Sequence, residues 1–174
     1  STTLYALLQL LNKEGVNIVS LEDPVEYFVA GVNQSQVRPE IGYTFASGLR
    51  QILRQDPDVI MVGEMRDDET AGLAVHAALT GHVVLSTIHT NNSAGVIPRL
   101  MDMKVDAFLL PSALNLMLSQ RLVSKVCDNC RQEEEAPEPL QKIIDEVVSG
   151  MAPEDREGFS KPYKIYHGAG CEVC

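Results

Sequence analysis

The chain has 174 residues, 45% hydrophobic and 5% aromatic, with 24 acidic against 14 basic side chains and a formal net charge of −10. That length can bury a full core, and the composition is that of a soluble globular domain with a small appendage, not of a disordered or fibrous chain. The negative balance excludes a broad nucleic-acid surface, which needs clustered Lys and Arg, and leaves proteins and small anions as the expected partners.

Ser1-Thr2 leads into an amphipathic helix over 4–13, with Leu4, Leu7, Leu8 and Leu11 on one face and Gly15 as its stop. Two origins fit this start. One is an ordinary Ser N-cap. The other is the end of a phosphate-binding loop, G-x-x-x-x-G-K-[ST], whose amides and lysine cradle phosphates and whose hydroxyl, here Ser1, ligates Mg²⁺. On the second reading the glycines and lysine precede Ser1, so the chain as written is a fragment expected to bind Mg-ATP weakly or not at all.

A strand is predicted over 17–21, then a loop with weak hairpin character over 25–36 and a helix over 45–55. Val59-Ile60-Met61-Val62 is a fully apolar run between Asp58 and Gly63, suited to a parallel strand buried on both faces. An Ala-rich helix over 69–79 is broken by Gly81, and 83–85 reads as another buried strand. Residues 94–126 read as helical, punctuated by Pro98 and Pro111. Residues 133–139 read as an exposed linker, followed by a helix over 140–149. Strands alternating with helices imply an α/β sheet with right-handed crossovers. Residues 127–174 hold eleven acidic and five basic side chains, against thirteen and nine before them. That step separates domains 1–126 and 127–174. No apolar run approaches the ~18 residues of a membrane span and no leader precedes the helix, so a cytoplasmic setting is expected.

Ligands of open parallel sheets gather at the carboxyl ends of strands. The first strand delivers Glu22, Asp23 and Glu26, the second Glu64 and Arg66, and the third Thr87, His89 and Thr90. Each has a bland alternative: Glu22 and Asp23 suit a turn before Pro24, Glu64 a surface pair with Arg66, His89 a hydrogen-bonded structural role. Together, carboxylates from two strands and an imidazole from a third would surround a phosphate-Mg²⁺ group and polarise water. Arg50 and Arg54, four apart on one helical face, suit either charge-stabilising fingers or pairs with acids such as Asp56 or Asp58.

The four cysteines form two C-x-x-C pairs, Cys127/Cys130 and Cys171/Cys174, separated by forty residues. Two such knuckles complete a tetrahedral four-thiolate shell that suits structural Zn²⁺. Two disulfides or a thioredoxin-like redox pair are the rival readings. With that spacing the intervening segment must fold as a lobe clipped at its base.

These residues carry a resemblance to the type II secretion and type IV pilus assembly ATPases. Residues 21–27, LEDPVEY, resemble the family's aspartate box; 49–67, LRQILRQDPDVIMVGEMRD, its Walker B segment; and 80–91, TGHVVLSTIHTN, its histidine box. Gly63 stands where a generic Walker B strand has Asp, as is typical of the family. The resemblance implies a partial RecA-like P-loop NTPase core with a C-terminal tetracysteine zinc lobe, and ATP, Mg²⁺ and Zn²⁺ as ligands. Glu64, Glu22 and His89 would be catalytic, with Ser1, Thr2, Asp23 and Glu26 near nucleotide and Mg²⁺. Arg50, Arg54 and Arg66 would be arginine fingers of a homo-hexamer. The parent would lie peripherally on the cytoplasmic face of the inner membrane, with platform and secretion or pilus proteins as partners and no nucleic acid. A tetracysteine lobe resembles the export and extension motors, its absence the retraction motors. The alternatives are another RecA-like secretion or DNA-translocating motor, or, for the chain itself, an inactive zinc-stabilised interaction module.

Overall fold

Helix α1 (Thr2–Leu11) leads the computed structural model, which describes residues 2–174. Strands β1 (Ile18–Glu22) and β2 (Asn33–Gln36) follow, then α2 (Phe45–Ile52), β3 (Val59–Val62), α3 (Asp68–Leu79), β4 (Val83–Ser86), α4 (Val96–Asp102) and α5 (Leu110–Ala113). These elements belong to the first of two units, Ser1–Gln120 and Arg121–Cys174. The four strands form one parallel sheet in the order β2-β1-β3-β4. Every residue of β1 and β3 is buried, as central strands covered on both faces require.

Because side chains alternate across a strand, the sheet sorts its residues between two helical layers. Val19, Leu21, Ile60 and Val62 pack with Leu49 and Ile52 of α2 and Ala74 and Ala77 of α3. Ile18, Val59 and Met61 pack with Tyr5 and Leu8 of α1. Ser20 and Glu22, in phase with Ile18, therefore turn toward the α1 face.

Helix α2 starts at a reciprocal cap, in which the Thr44 hydroxyl accepts from the Ser47 amide at 3.2 Å and Ser47 Oγ accepts from the Thr44 amide at 2.8 Å. The left-handed Asp56 (φ 50°) and Pro57 then prevent its continuation. Asp67 caps α3, its carboxylate accepting from the Thr70 amide (2.8 Å) and hydroxyl (2.9 Å).

In the first unit three sequence expectations differ from the structure. Residues 25–36 form no hairpin: β2 runs parallel to β1, Val19 opposite Asn33 and Glu22 opposite Gln36. β4 pairs with β3 alone and is only partly buried, Val83 being 46% exposed, so it is an edge strand of this sheet. The helical pattern over 94–126 yields helix only as far as Ala113, and residues 115–127 are neither helix nor strand. Leu116, Leu118, Leu122 and Val123 there are exposed, so no apolar burial rewards helix formation.

In the second unit, β5 (Arg131–Glu135) pairs antiparallel with β6 (Lys164–Gly168) around α6 (Glu138–Gly150). Its small core is Ala136, Val148 and Tyr163, with Leu140, Ile144 and Ile165 against it. The expected linker over 133–139 is thus strand at its start. Three glutamates are poor strand formers, but Glu133 pairs with Lys164 and accepts from the Tyr166 hydroxyl at 2.8 Å, and Glu134 lies 3.6 Å from the His167 ring. Among the described residues no helix is long and apolar enough to cross a membrane.

Gly48 fixes how closely α2 approaches β1. A Cβ there would lie 2.7 Å and 3.0 Å from the two methyl carbons of the fully buried Leu21 and 3.2 Å from the Tyr43 ring. Ala in mid-helix gains about 0.5–1 kcal/mol over Gly, whereas overpacking a core costs about 1–3 kcal/mol. Gly48→Ala is therefore expected to lower the stability of the first unit by roughly 1 kcal/mol despite its better helix propensity, read as a lower urea midpoint by circular dichroism.

Candidate functional site

The carboxyl ends of β1, β3 and β4 meet at one edge of the sheet. Gly63, directly after β3, donates its amide to the Leu21 carbonyl of β1 at 2.7 Å. The Thr87 hydroxyl, directly after β4, donates to the Gly63 carbonyl at 2.6 Å, and the Met65 amide donates to the Thr87 carbonyl at 3.0 Å. The chain beyond β3 is thereby clipped on both sides, which holds Glu64 between the Glu22 and His89 segments.

Glu22 is 3% exposed and both its carboxylate oxygens are engaged. Oε1 accepts from Ser20 Oγ at 2.5 Å and Gln34 Nε2 at 3.0 Å, and Oε2 accepts from the Tyr5 hydroxyl. Three donors offset the desolvation of this carboxylate. Burial, and then the bond to Glu22, push the Tyr5 phenol above its ordinary range, so it remains a donor at neutral pH.

Glu64, 9% exposed, is held on one side only. Its Oε2 lies 2.6 Å from Arg66 Nε and 3.2 Å from His89 Nε2. Its Oε1 has no partner among the described residues and is not sealed from solvent. A carboxylate fixed through one oxygen and open at the other is suited to orient a water or ligate a hard cation. The His89 ring is largely exposed beyond it.

The other sequence candidates divide. Arg66 joins Glu64, but Arg50 pairs with Glu69 of α3, not with Asp56 or Asp58. Asp58 instead accepts from the Asn17 amide at 2.7 Å. Arg54 and Arg99 are exposed with no ion pair among the described residues. Asp23 and Glu26 lie exposed in the loop after β1, and Thr2 is the exposed first residue of α1. Ser1 lies outside the described residues. Sequence reasoning placed Thr87 at the third strand end without a separate role, and missed Tyr5, Ser20 and Gln34. Ser20 carried a signal, standing two residues before Glu22 on the same strand face. Tyr5 and Gln34 reach the site across distant contacts that no local pattern encodes.

In the second unit the Sγ atoms of Cys127, Cys130, Cys171 and Cys174 all lie within 4.8 Å of one another. The separations are 3.9 Å for Cys127–Cys171, 3.7 Å for Cys130–Cys174 and 3.8 Å for Cys171–Cys174. A tetrahedron with metal–sulfur bonds of ~2.3 Å has edges of ~3.8 Å, so the donor set fits one tetrahedral ion. The backbone amides of Val173 and Cys174 lower the Cys171 thiol to about 7, whereas burial and the neighbouring Cys174 raise Cys130 to about 11. A bound cation would take all four as thiolates, releasing protons.

Known proteins resemble this chain over part or all of its length. A family profile described as "Type II/IV secretion system protein" matches residues 1–174. The chain is 49% identical over 174 residues to the type II secretion system protein E of Dickeya dadantii (strain 3937), covering all of this chain and 32% of that protein. It is 47% identical over 174 residues to the type IV pilus assembly ATPase PilB of Myxococcus xanthus (strain DK1622), covering all of this chain and 29% of that protein. The chain thus spans about a third of the length of these relatives. Among solved structures, that of the pilus retraction motor PilT with bound ADP superposes with a TM-score of 0.56 at 40% identity, over 64% of this chain and 34% of that one.

The space beside Gly63 is too tight for a side chain to enter without adjustment. A Cβ at this position would stand 3.2 Å from the Leu21 carbonyl oxygen and 3.4 Å from Glu22 Cα, both backbone atoms of a buried strand. Gly63→Ala is expected to loosen the β1–β3 junction, so that amides of 21–26 and 62–66 exchange with deuterium about tenfold faster, equivalent to about 1.4 kcal/mol of local opening. Hydrogen-exchange mass spectrometry on the folded protein measures it.

Proposed function

Because the chain belongs to the type II/IV secretion system protein family, we propose that the protein containing it is an ATP-hydrolysing motor subunit powering type II protein secretion or type IV pilus assembly. The observation that carries this reading is Glu64, anchored by Arg66 and His89 through one oxygen and open at the other, beside the sealed Glu22. In phosphoryl transfer the protein contributes positioning and electrostatics, with little covalent chemistry of its own.

In this proposal the open oxygen of Glu64 orients the attacking water or holds Mg²⁺, which when bound neutralises phosphate charge. Glu22 is the second carboxylate, completing the site from the neighbouring strand. His89 touches the same Glu64 oxygen from β4's exit, so a contact between its exposed ring and the terminal phosphate would be felt at Glu64. Ser1 and Thr2 would serve the phosphates and Mg²⁺, and Asp23 and Glu26, exposed in the loop after β1, would serve the nucleotide from the other strand end.

The working form is a homo-hexameric ring, with an arginine from one subunit completing the site of the next. Arg54 and Arg99, exposed and without an ion pair among the described residues, support a role across subunits better than Arg50, which α3 already engages. We place the motor at the cytoplasmic face of the inner membrane, bound to a platform protein and to secretion or pilus components. The tetracysteine lobe favours export or extension over retraction. Its metal is Zn²⁺, held by Cys127, Cys130, Cys171 and Cys174 in a structural role, because four thiolates leave no open coordination position.

Two experiments test these assignments. In the full-length protein, Glu64→Gln is expected to bind ATP normally and to lose at least about a hundredfold in kcat, with Glu22→Gln also impaired. If both variants turn over ATP at near-normal rates, neither carboxylate has the proposed role. Metal analysis is expected to find one Zn²⁺ per chain, and Cys130→Ser or a strong chelator to expose 131–170 to protease while the β1–β4 sheet stays protected. A metal-free protein with four reactive thiols and a protected lobe would refute the zinc assignment.

A further inference from the structure

Glu22 is the most heavily restrained carboxylate of the site, and one of its restraints comes from outside the sheet. Tyr5 lies one turn into α1, fully buried, and its hydroxyl donates to Glu22 Oε2. The same hydroxyl accepts the Glu26 amide at 3.2 Å, in the loop that follows Glu22. Its ring stacks on Tyr27 with centroids 3.9 Å apart. From the opposite side Gln34 of β2 donates to Glu22 Oε1 at 3.0 Å and to the Tyr27 carbonyl at 3.2 Å, and accepts the Val29 amide at 2.7 Å. The loop 23–32 is thereby tied at one point to α1 and at another to β2.

We propose that Tyr5 is a positioning residue for the hydrolytic site: through its hydroxyl it fixes the rotamer of Glu22 and the Glu26 end of the following loop to the helix whose first residues face the phosphates. This rests on the functional reading above. The argument is geometric. Glu22 stands at the last position of β1, paired with Gln36 of β2 and one residue past the last β3 pair, so its carboxylate is held in place by its own hydrogen bonds. Ser20 and Gln34 both act on Oε1, so among the described residues Tyr5 supplies the one hydrogen bond on Oε2. Removing it leaves the carboxylate hinged on a single oxygen. Any shift of α1 along its axis is passed to Glu22 through this bond, which couples occupancy at the start of the helix to the orientation of the carboxylate. A displacement on the order of 1 Å at a reacting group costs up to about a hundredfold in rate.

Tyr5→Phe keeps the ring and its stack on Tyr27 while deleting the hydroxyl, and Tyr27→Leu does the reverse. In the full-length protein Tyr5→Phe is expected to lower kcat for ATP about 10- to 100-fold with KM within threefold. It should retain the melting transition, and should cause no further loss in a Glu22→Gln background. Tyr27→Leu is expected to keep turnover within threefold. The inference is overturned if Tyr5→Phe turns over within twofold of wild type while Glu22→Gln is impaired, if the Tyr5 and Glu22 losses multiply, or if Tyr27→Leu loses as much as Tyr5→Phe. A wild-type protein with no ATP turnover would sink the functional reading separately. The bond is then read by the Glu26 amide, whose deuterium exchange must accelerate in Tyr5→Phe, and an unchanged rate would refute the coupling of Tyr5 to this loop.

Discussion

Between the ends of β1 and β3 there is room for backbone and for nothing larger. The Gly63 amide reaches the Leu21 carbonyl at 2.7 Å, and its Cα faces Glu22 so closely that a methyl group would press on the strand. Two acidic residues on adjacent strands repel, and a sheet end spread by side chains would let them drift apart into solvent. Backbone pairing at a glycine holds the two segments together instead. Thr87 completes the clamp from the third strand. The Glu64 segment inherits its place from this junction.

The two carboxylates differ although both end strands of one sheet. Glu22 is still inside the pleat, in phase with Ile18 and Ser20, and so falls beneath α1, where Tyr5, Ser20 and Gln34 enclose it. Glu64 is two residues past the last strand pairing and its neighbours, Arg66 and His89, are exposed side chains that approach from the solvent side. One acid is fixed by desolvation and hydrogen bonds, the other by charge in a partly wet setting. Such asymmetry lets a pair of acids take unlike tasks on one scaffold.

Much of this was legible in the sequence. The β3 run and the α2 and α3 segments were readable because burial on both faces leaves an unbroken apolar run and helical burial leaves a 3.6-residue period. The strand-end rule pointed to Glu22, Glu64 and His89, and C-x-x-C spacing to the four cysteines that the structure brings together. β2 was not legible: Asn33-Gln34-Ser35-Gln36 has no apolar alternation, and its stability comes from a parallel partner and from Gln34 and Ser35 meeting Glu22 and Tyr43. β5 was hidden in the same way, its glutamates answered by Lys164, Tyr166 and His167 more than thirty residues away. Over 115–127 the sequence pattern promised more than the structure delivers, since apolar spacing forms a helix only where something covers it.

The separation of the two cysteine knuckles has a consequence for biogenesis. Cys127 and Cys130 are translated forty residues before Cys171. At about 5–20 residues per second, the first pair waits about 2–8 s for its partners. During that interval it is a two-sulfur chelate, open to oxidants and to softer ions than the one that the finished tetrad fits, and β5 has no β6 to pair with. Closure of the lobe is consequently an event of late synthesis, and the reducing capacity around the nascent chain sets whether all four thiols reach it intact.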